Sequence, residues 1–199
     1  MNLNLFEHER FSLNDLSSRW KKARISAIKK SQTFDQDQFN IQNESELLLK
    51  VTSENKDLVL RAVYDHSRLL GLSLVKHLGL TLEITDIAQL LPQMNSPCFS
   101  AAWRPHHEAQ VLERKACRDL AVLGNFACDY WREAVDGFVV GVGENERFTR
   151  HRSVGHGDED CCDVLFEEKF TPPRVVTAEE NTSSSKLSKS LILSGSCRD

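Results

Sequence analysis

Apolar residues recur at Leu13, Leu16, Trp20, Ala23, Ile25, Ala27 and Ile28, an irregular stripe that predicts a helix running to about Lys30. Ser12 stands before it as an N-cap, with Asp15 three residues on. From Ser31 to Asn43 the chain turns to Gln, Asn and Asp, the composition of a linker. A second helix starts near Glu44 or Ser53 and runs to His77, because Leu58, Ala62, Val63, Leu69, Leu70, Leu74 and Leu78 keep a three- and four-residue spacing. Gly79 suits its end. A short helix or turn spans Ile84–Leu91, and Pro92 and Pro97 punctuate the chain after it. Phe99–Trp103 and Ala109–Arg114 read as paired strands with Pro105 in the connection. A helix from Phe126 to about Val142 puts Ala127, Trp131, Ala134, Val135 and Phe138 on one face, with Gly141 and Gly143 as its stop. Phe148–Val154 and Cys162–Phe166 form a final hairpin joined by a Gly-His-Gly-Asp turn.

This order predicts an α+β fold: N-terminal helices packed on a small antiparallel sheet, with one further helix between the two hairpins. The chain divides into a basic helix and polar linker over 1–43, an α+β domain over 44–171, and a disordered polar tail over 172–199.

Charge changes the picture of partners. The net −4 of the 199-residue chain is unevenly spread: residues 1–31 carry +4, residues 174–199 carry +1, and the body between is at −9. An acidic body argues against nucleic-acid binding. The basic first helix reads as a solvated face ahead of a contact with an anionic partner or membrane surface. No apolar run approaches the roughly 18 residues of a membrane span. Met1–Glu7 lacks a basic region followed by an apolar stretch, so no secretory signal is expected and the compartment reads as cytoplasmic. Six cysteines are sparse for a disulfide scaffold in a chain of 199 residues, so reduced thiols are expected.

Chemistry-bearing residues concentrate between Cys117 and Cys162. Cys117 follows a strand, and Cys128 sits near the start of a helix, where the backbone dipole favours the thiolate. Cys161 and Cys162 open the last strand, and as neighbours on a strand they point to opposite faces. His151, His156, Asp129 and Asp158 are candidate companions. Taken singly, each cysteine reads as core packing ahead of chemistry, and the spacings match no familiar zinc finger. His156, between two glycines, has little packing support and so points to exposure or a pocket. Asp158 has a bland role as acceptor for turn amides. Gly141-Val142-Gly143 follows a helix, the wrong order for a phosphate loop.

The run Arg114-Lys115-Ala116-Cys117, Ala127-Cys128-Asp129-Tyr130, Phe148–Val154 and Gly157-Asp158-Glu159-Asp160-Cys161 resembles the L-2-amino-thiazoline-4-carboxylic acid hydrolase-like family. More distantly it resembles the four-vinyl reductase type of small-molecule-binding domain. The order of elements matches over roughly 45–168, and the specific motifs only over 114–168. Arg118 follows Cys117 where the family often has proline, and either Cys161 or Cys162 fits the last motif. The resemblance implies a domain that opens the ring of a thiazoline or acts on another C–N bond, or that binds a small ligand or metal. In the enzyme version Cys128 is the nucleophile and Asp158 or His156 moves protons. In a non-enzymatic sensor version Cys117, Cys128, Cys161 and Cys162 hold zinc or iron. A third reading is an adaptor with core cysteines. Whether the chain forms a homodimer is left open.

Overall fold

Trp20, fully buried on the first helix, fixes how the N-terminal part of the chain joins the rest. The computed structural model describes residues 13–31, 43–94, 103–114 and 124–168. Helix α1 spans Leu13–Ser31. Its Leu16, Trp20, Ala27 and Ile28 have no exposed surface, while Lys21, Lys22 and Lys30 face outward. The helix that the polar stretch sets apart in sequence is therefore part of the core.

Where one helix is expected to start at Glu44 or Ser53, two form: α2 over Glu44–Leu48 and α3 over Lys56–Leu78. The break is a local turn in which Thr52 N–H donates to Asn55 Oδ1 at 2.8 Å, a side-chain contact that competes with helix. Gly79 ends α3 in the left-handed conformation (φ 69°), as the sequence implies. Helix α4 spans Ile84–Leu90 and runs into a 3₁₀ turn at Leu91–Met94.

Helix α5, Asn125–Val142, is the central element. It packs along α3 through glycines: a Cβ at Gly137 would run into the Tyr64 carbonyl, one at Gly141 into the Arg68 carbonyl, and one at Gly71 into the Gly141 backbone. Gly141 is thus a close-approach position inside the helix rather than part of a stop, and Gly143 alone caps it. Trp20 packs on Phe138 with centroids 5.3 Å apart and donates through Nε1 to Ser67 Oγ at 3.0 Å. Beside it, the buried Arg24 lies 4.7 Å from the Trp20 ring and 4.5 Å from the Trp131 ring.

Four strands, β1 (Arg104–His106), β2 (Ala109–Arg114), β3 (Glu146–Arg152) and β4 (Cys161–Glu167), form one antiparallel sheet in the order β1-β2-β4-β3. The fold class is α+β, helices first. The first hairpin turns at His107-Glu108, with His107 at φ 53°. The first strand therefore lies later than expected and takes in Pro105, which an edge strand tolerates because its missing N–H need not pair. Of the expected strand Phe99–Trp103, all but Trp103 lie outside the described residues. The last hairpin forms as expected within two residues, with a register shift between Arg150 and Arg152. No helix among the described residues is long and apolar enough to cross a membrane.

Candidate functional site

The start of α5 meets the end of β3 and the turn after it around a cleft of about 150 Å³. Gly124 delivers the chain into α5 at φ 63° and ψ −160°, a region open essentially to glycine alone. Cys128, Asp129 and Arg132 sit on the first turns of the helix and line the cleft. Cys128 is 3 % exposed and carries a thiol. Asp129 binds Lys56 Nζ of α3 through Oδ2 at 2.8 Å, and its Oδ1 lies 3.3 Å from His156 Nε2. Arg132 donates from Nε and Nη2 to Glu133 Oε1, its neighbour on the same helix, and Nη1 stands 3.9 Å from Asp129.

The opposite wall comes from Arg150, His151 and Arg152 on β3 and from Ser153, His156 and Asp158 in the turn. The turn is closed at both ends by one residue: Asp158 Oδ2 accepts from Ser153 N–H at 2.7 Å, and Asp158 N–H donates to the Ser153 carbonyl at 3.2 Å. Gly157 takes φ 100°, which lets His156 project from a 3₁₀ turn at Val154–His156. One oxygen of Asp158 thus acts as a turn acceptor, the bland role its sequence setting suggests.

Arg150 anchors the floor. It donates to both oxygens of Asp163 on β4, Nε to Oδ1 at 2.5 Å and Nη2 to Oδ2 at 3.2 Å, and through Nη1 to the Cys128 carbonyl at 2.9 Å. Burial is the largest single influence and works against its charge, but the charge and hydrogen bonds of Asp163, together with Cys128 and Cys161, raise the guanidinium pKa on balance. Arg152 is likewise raised, first by its hydrogen bond to Asp160 at 2.5 Å. Ser153 is 4 % exposed, and its hydroxyl is buried with no hydrogen-bond partner among the described residues.

The structure brings Cys128, His156 and Asp158 to one cleft, with Asp129 and His151 beside them. Cys161, 1 % exposed, lies behind the turn, and its Sγ accepts from Val154 N–H at 3.3 Å. Cys162, adjacent on the strand and so on the opposite sheet face, is held in a disulfide. That corrects the expectation of reduced thiols, since bridging depends on which side chains the fold juxtaposes and not on their number. A disulfide sulfur is also no thiolate ligand, so Cys162 as it stands does not join a metal set. Cys117 lies outside the described residues. Among the described residues no group of three or more His, Cys, Asp or Glu side chains is placed to hold a metal ion.

Sequence reasoning missed Arg132, Arg150, Arg152 and Ser153 as cleft residues. The available signal was Arg150-His151-Arg152: two arginines two apart, in a short strand just before a glycine turn. No family model, curated protein or solved structure matches this chain.

Proposed function

We propose that this chain is a small-molecule domain of hydrolase-like type that works through the Cys128 thiol in the cleft between α5 and β3. The observation that carries the reading is the convergence of Cys128, from a helix start, with His156, from a turn, on one cavity. At about 150 Å³ the cavity falls below the ~300–1,000 Å³ usual for drug-sized ligands, which favours a compact substrate.

In this reading Cys128 attacks an electrophilic carbon of the substrate, a C–N carbon in a ring or an amide. Its thiol proton passes to His156, which Asp129 orients through the 3.3 Å contact at Nε2. The amine leaving group takes that proton as the C–N bond breaks, and water then releases the acyl group from sulfur. Arg150 holds the Cys128 backbone through its carbonyl, fixing the nucleophile without touching the substrate. Asp158 shapes the turn that presents His156.

The test is hydrolysis of a panel of small cyclic amidines, thiazolines and amides, monitored by release of amine. Wild type is expected to turn over at least one of them and Cys128→Ala none. Equal turnover by Cys128→Ala on an active substrate sinks the proposal.

A further inference from the structure

The outer face of α3 carries leucines that the core leaves uncovered. Its buried residues, Val59, Val63, Ser67, Gly71 and Leu74, share one side of the helix. Leu58 and Leu69, two of the leucines whose spacing predicts this helix, stand on the opposite side and are 61 % and 60 % exposed. Leu72 is 41 % exposed, and Leu80, just past the Gly79 cap, 38 %. At about 100° per residue, Leu58, Asp65, Leu69, Leu72 and Lys76 fall within an arc of about 60°. A single exposed leucine needs no explanation, but a row along one helix face marks a contact surface.

The charges in the row select what fits it. Asp65 and Lys76 are both exposed, and neither forms an ion pair among the described residues. They lie about 8 Å along the axis on either side of the midpoint between Leu69 and Leu72. A second α3 laid antiparallel across that midpoint sets Leu69 of each copy on Leu72 of the other, with Asp65 opposite Lys76 at both ends. Laid parallel, it sets Asp65 on Asp65 and Lys76 on Lys76, which repel. The row is complementary to itself reversed, the property a two-fold interface requires.

We infer that α3 is a docking surface for a second copy of this chain, packed antiparallel about a two-fold axis between Leu69 and Leu72. The four leucines around the axis form the apolar centre. The two Asp65–Lys76 pairs sit at the rim and fix the direction more than they add affinity. One helix face belongs at the low end of specific interface sizes, so monomer and dimer exchange at micromolar concentration.

The experiment is sedimentation equilibrium of the purified full chain over micromolar concentrations at low ionic strength. A reversible monomer–dimer equilibrium is expected. Leu69→Asp brings a charge to the apolar centre twice over and is expected to weaken the dimer about tenfold or more. Asp65→Lys and Lys76→Asp each bring like charges together at both ends and are expected to weaken it about tenfold. The double variant Asp65→Lys/Lys76→Asp restores both pairs and is expected to recover affinity to within about threefold of wild type. All three positions are exposed, so the variants are expected to keep the wild-type fold, with thermal melts as the check. A monomer at every concentration overturns the inference. So does a dimer that Leu69→Asp leaves intact, or one in which the double swap binds no tighter than the single swaps.

Discussion

Arg150 and Asp163 form a two-point ion pair beneath the cleft, with the Asp163 side chain wholly buried and that of Arg150 6 % exposed. The pair ties β3 to β4 and, through the Cys128 carbonyl, ties both strands to the start of α5. Removing one partner strands the other charge out of water. Asp163→Ala is therefore expected to destabilise by about 3–5 kcal/mol in urea denaturation. A double replacement of Arg150 and Asp163 by leucines should cost clearly less, and equal losses in the two variants would contradict the account.

A second buried pair fastens the N-terminal helices. Glu44 of α2 accepts from Arg24 Nε at 2.6 Å and Nη2 at 3.1 Å, and from the Tyr130 hydroxyl of α5. Burial and the Glu44 carboxylate push the Tyr130 hydroxyl well above its ordinary pKa, so it stays a donor. Glu44→Ala leaves Arg24 buried and uncompensated and should cost about 3–5 kcal/mol. Tyr130→Phe removes one donor and should cost about 1 kcal/mol. Thermal melts of the two variants check the order, which a larger loss in Tyr130→Phe would refute.

The glycine contact between α3 and α5 predicts a steric effect. A methyl at Gly137 meets the Tyr64 carbonyl, which is backbone and cannot turn aside. Gly137→Ala should destabilise by about 1–3 kcal/mol, although alanine favours helix more than glycine does. A stabilised variant would mean that the helices are not packed this closely.

Asp136 supplies a pH dependence. Burial first, and Glu133 next, raise its pKa from 3.8 to about 6, against a hydrogen bond from the Phe148 backbone and the charge of Arg147. The folded chain holds this proton more tightly than the unfolded chain. The stability it contributes is therefore full below pH 3.8 and is lost as pH rises through about 6. Asp136→Asn should gain about 1 kcal/mol at pH 7.5, allowing for screening at a partly exposed site, and little at pH 4. Urea denaturation at the two pH values reads this directly, and a gain independent of pH would contradict it.

The α+β class and the course of α1, α3 and α5 were legible because their apolar positions repeat with helical spacing and glycines mark the ends of α3 and α5. Cys128 and His156 stood out for a similar reason: a thiol at a helix start and an imidazole between glycines are locally unusual. Other features depend on distant partners. Gly141 looks like a helix stop until α3 is laid against it. Arg150 and Arg152 look like solvated strand residues until Asp163 and Asp160 are placed beside them. Ser153 carries no signal in sequence, since its buried hydroxyl is a property of the closed turn. The disulfide at Cys162 likewise depends on a partner the spacing does not reveal.

The central claim is that Cys128 is a working thiol rather than a core residue, and the most direct measurement is the rate at which each cysteine is alkylated in the folded chain. Iodoacetamide at neutral pH, with the modified peptides quantified by mass spectrometry, reads Cys128 and Cys161 in one sample. The account predicts that Cys128, in the cleft wall, is modified well ahead of Cys161 and more slowly in His156→Gln. Modification of Cys128 only at the rate of global unfolding, unchanged in His156→Gln, would contradict it and leave Cys128 as core packing.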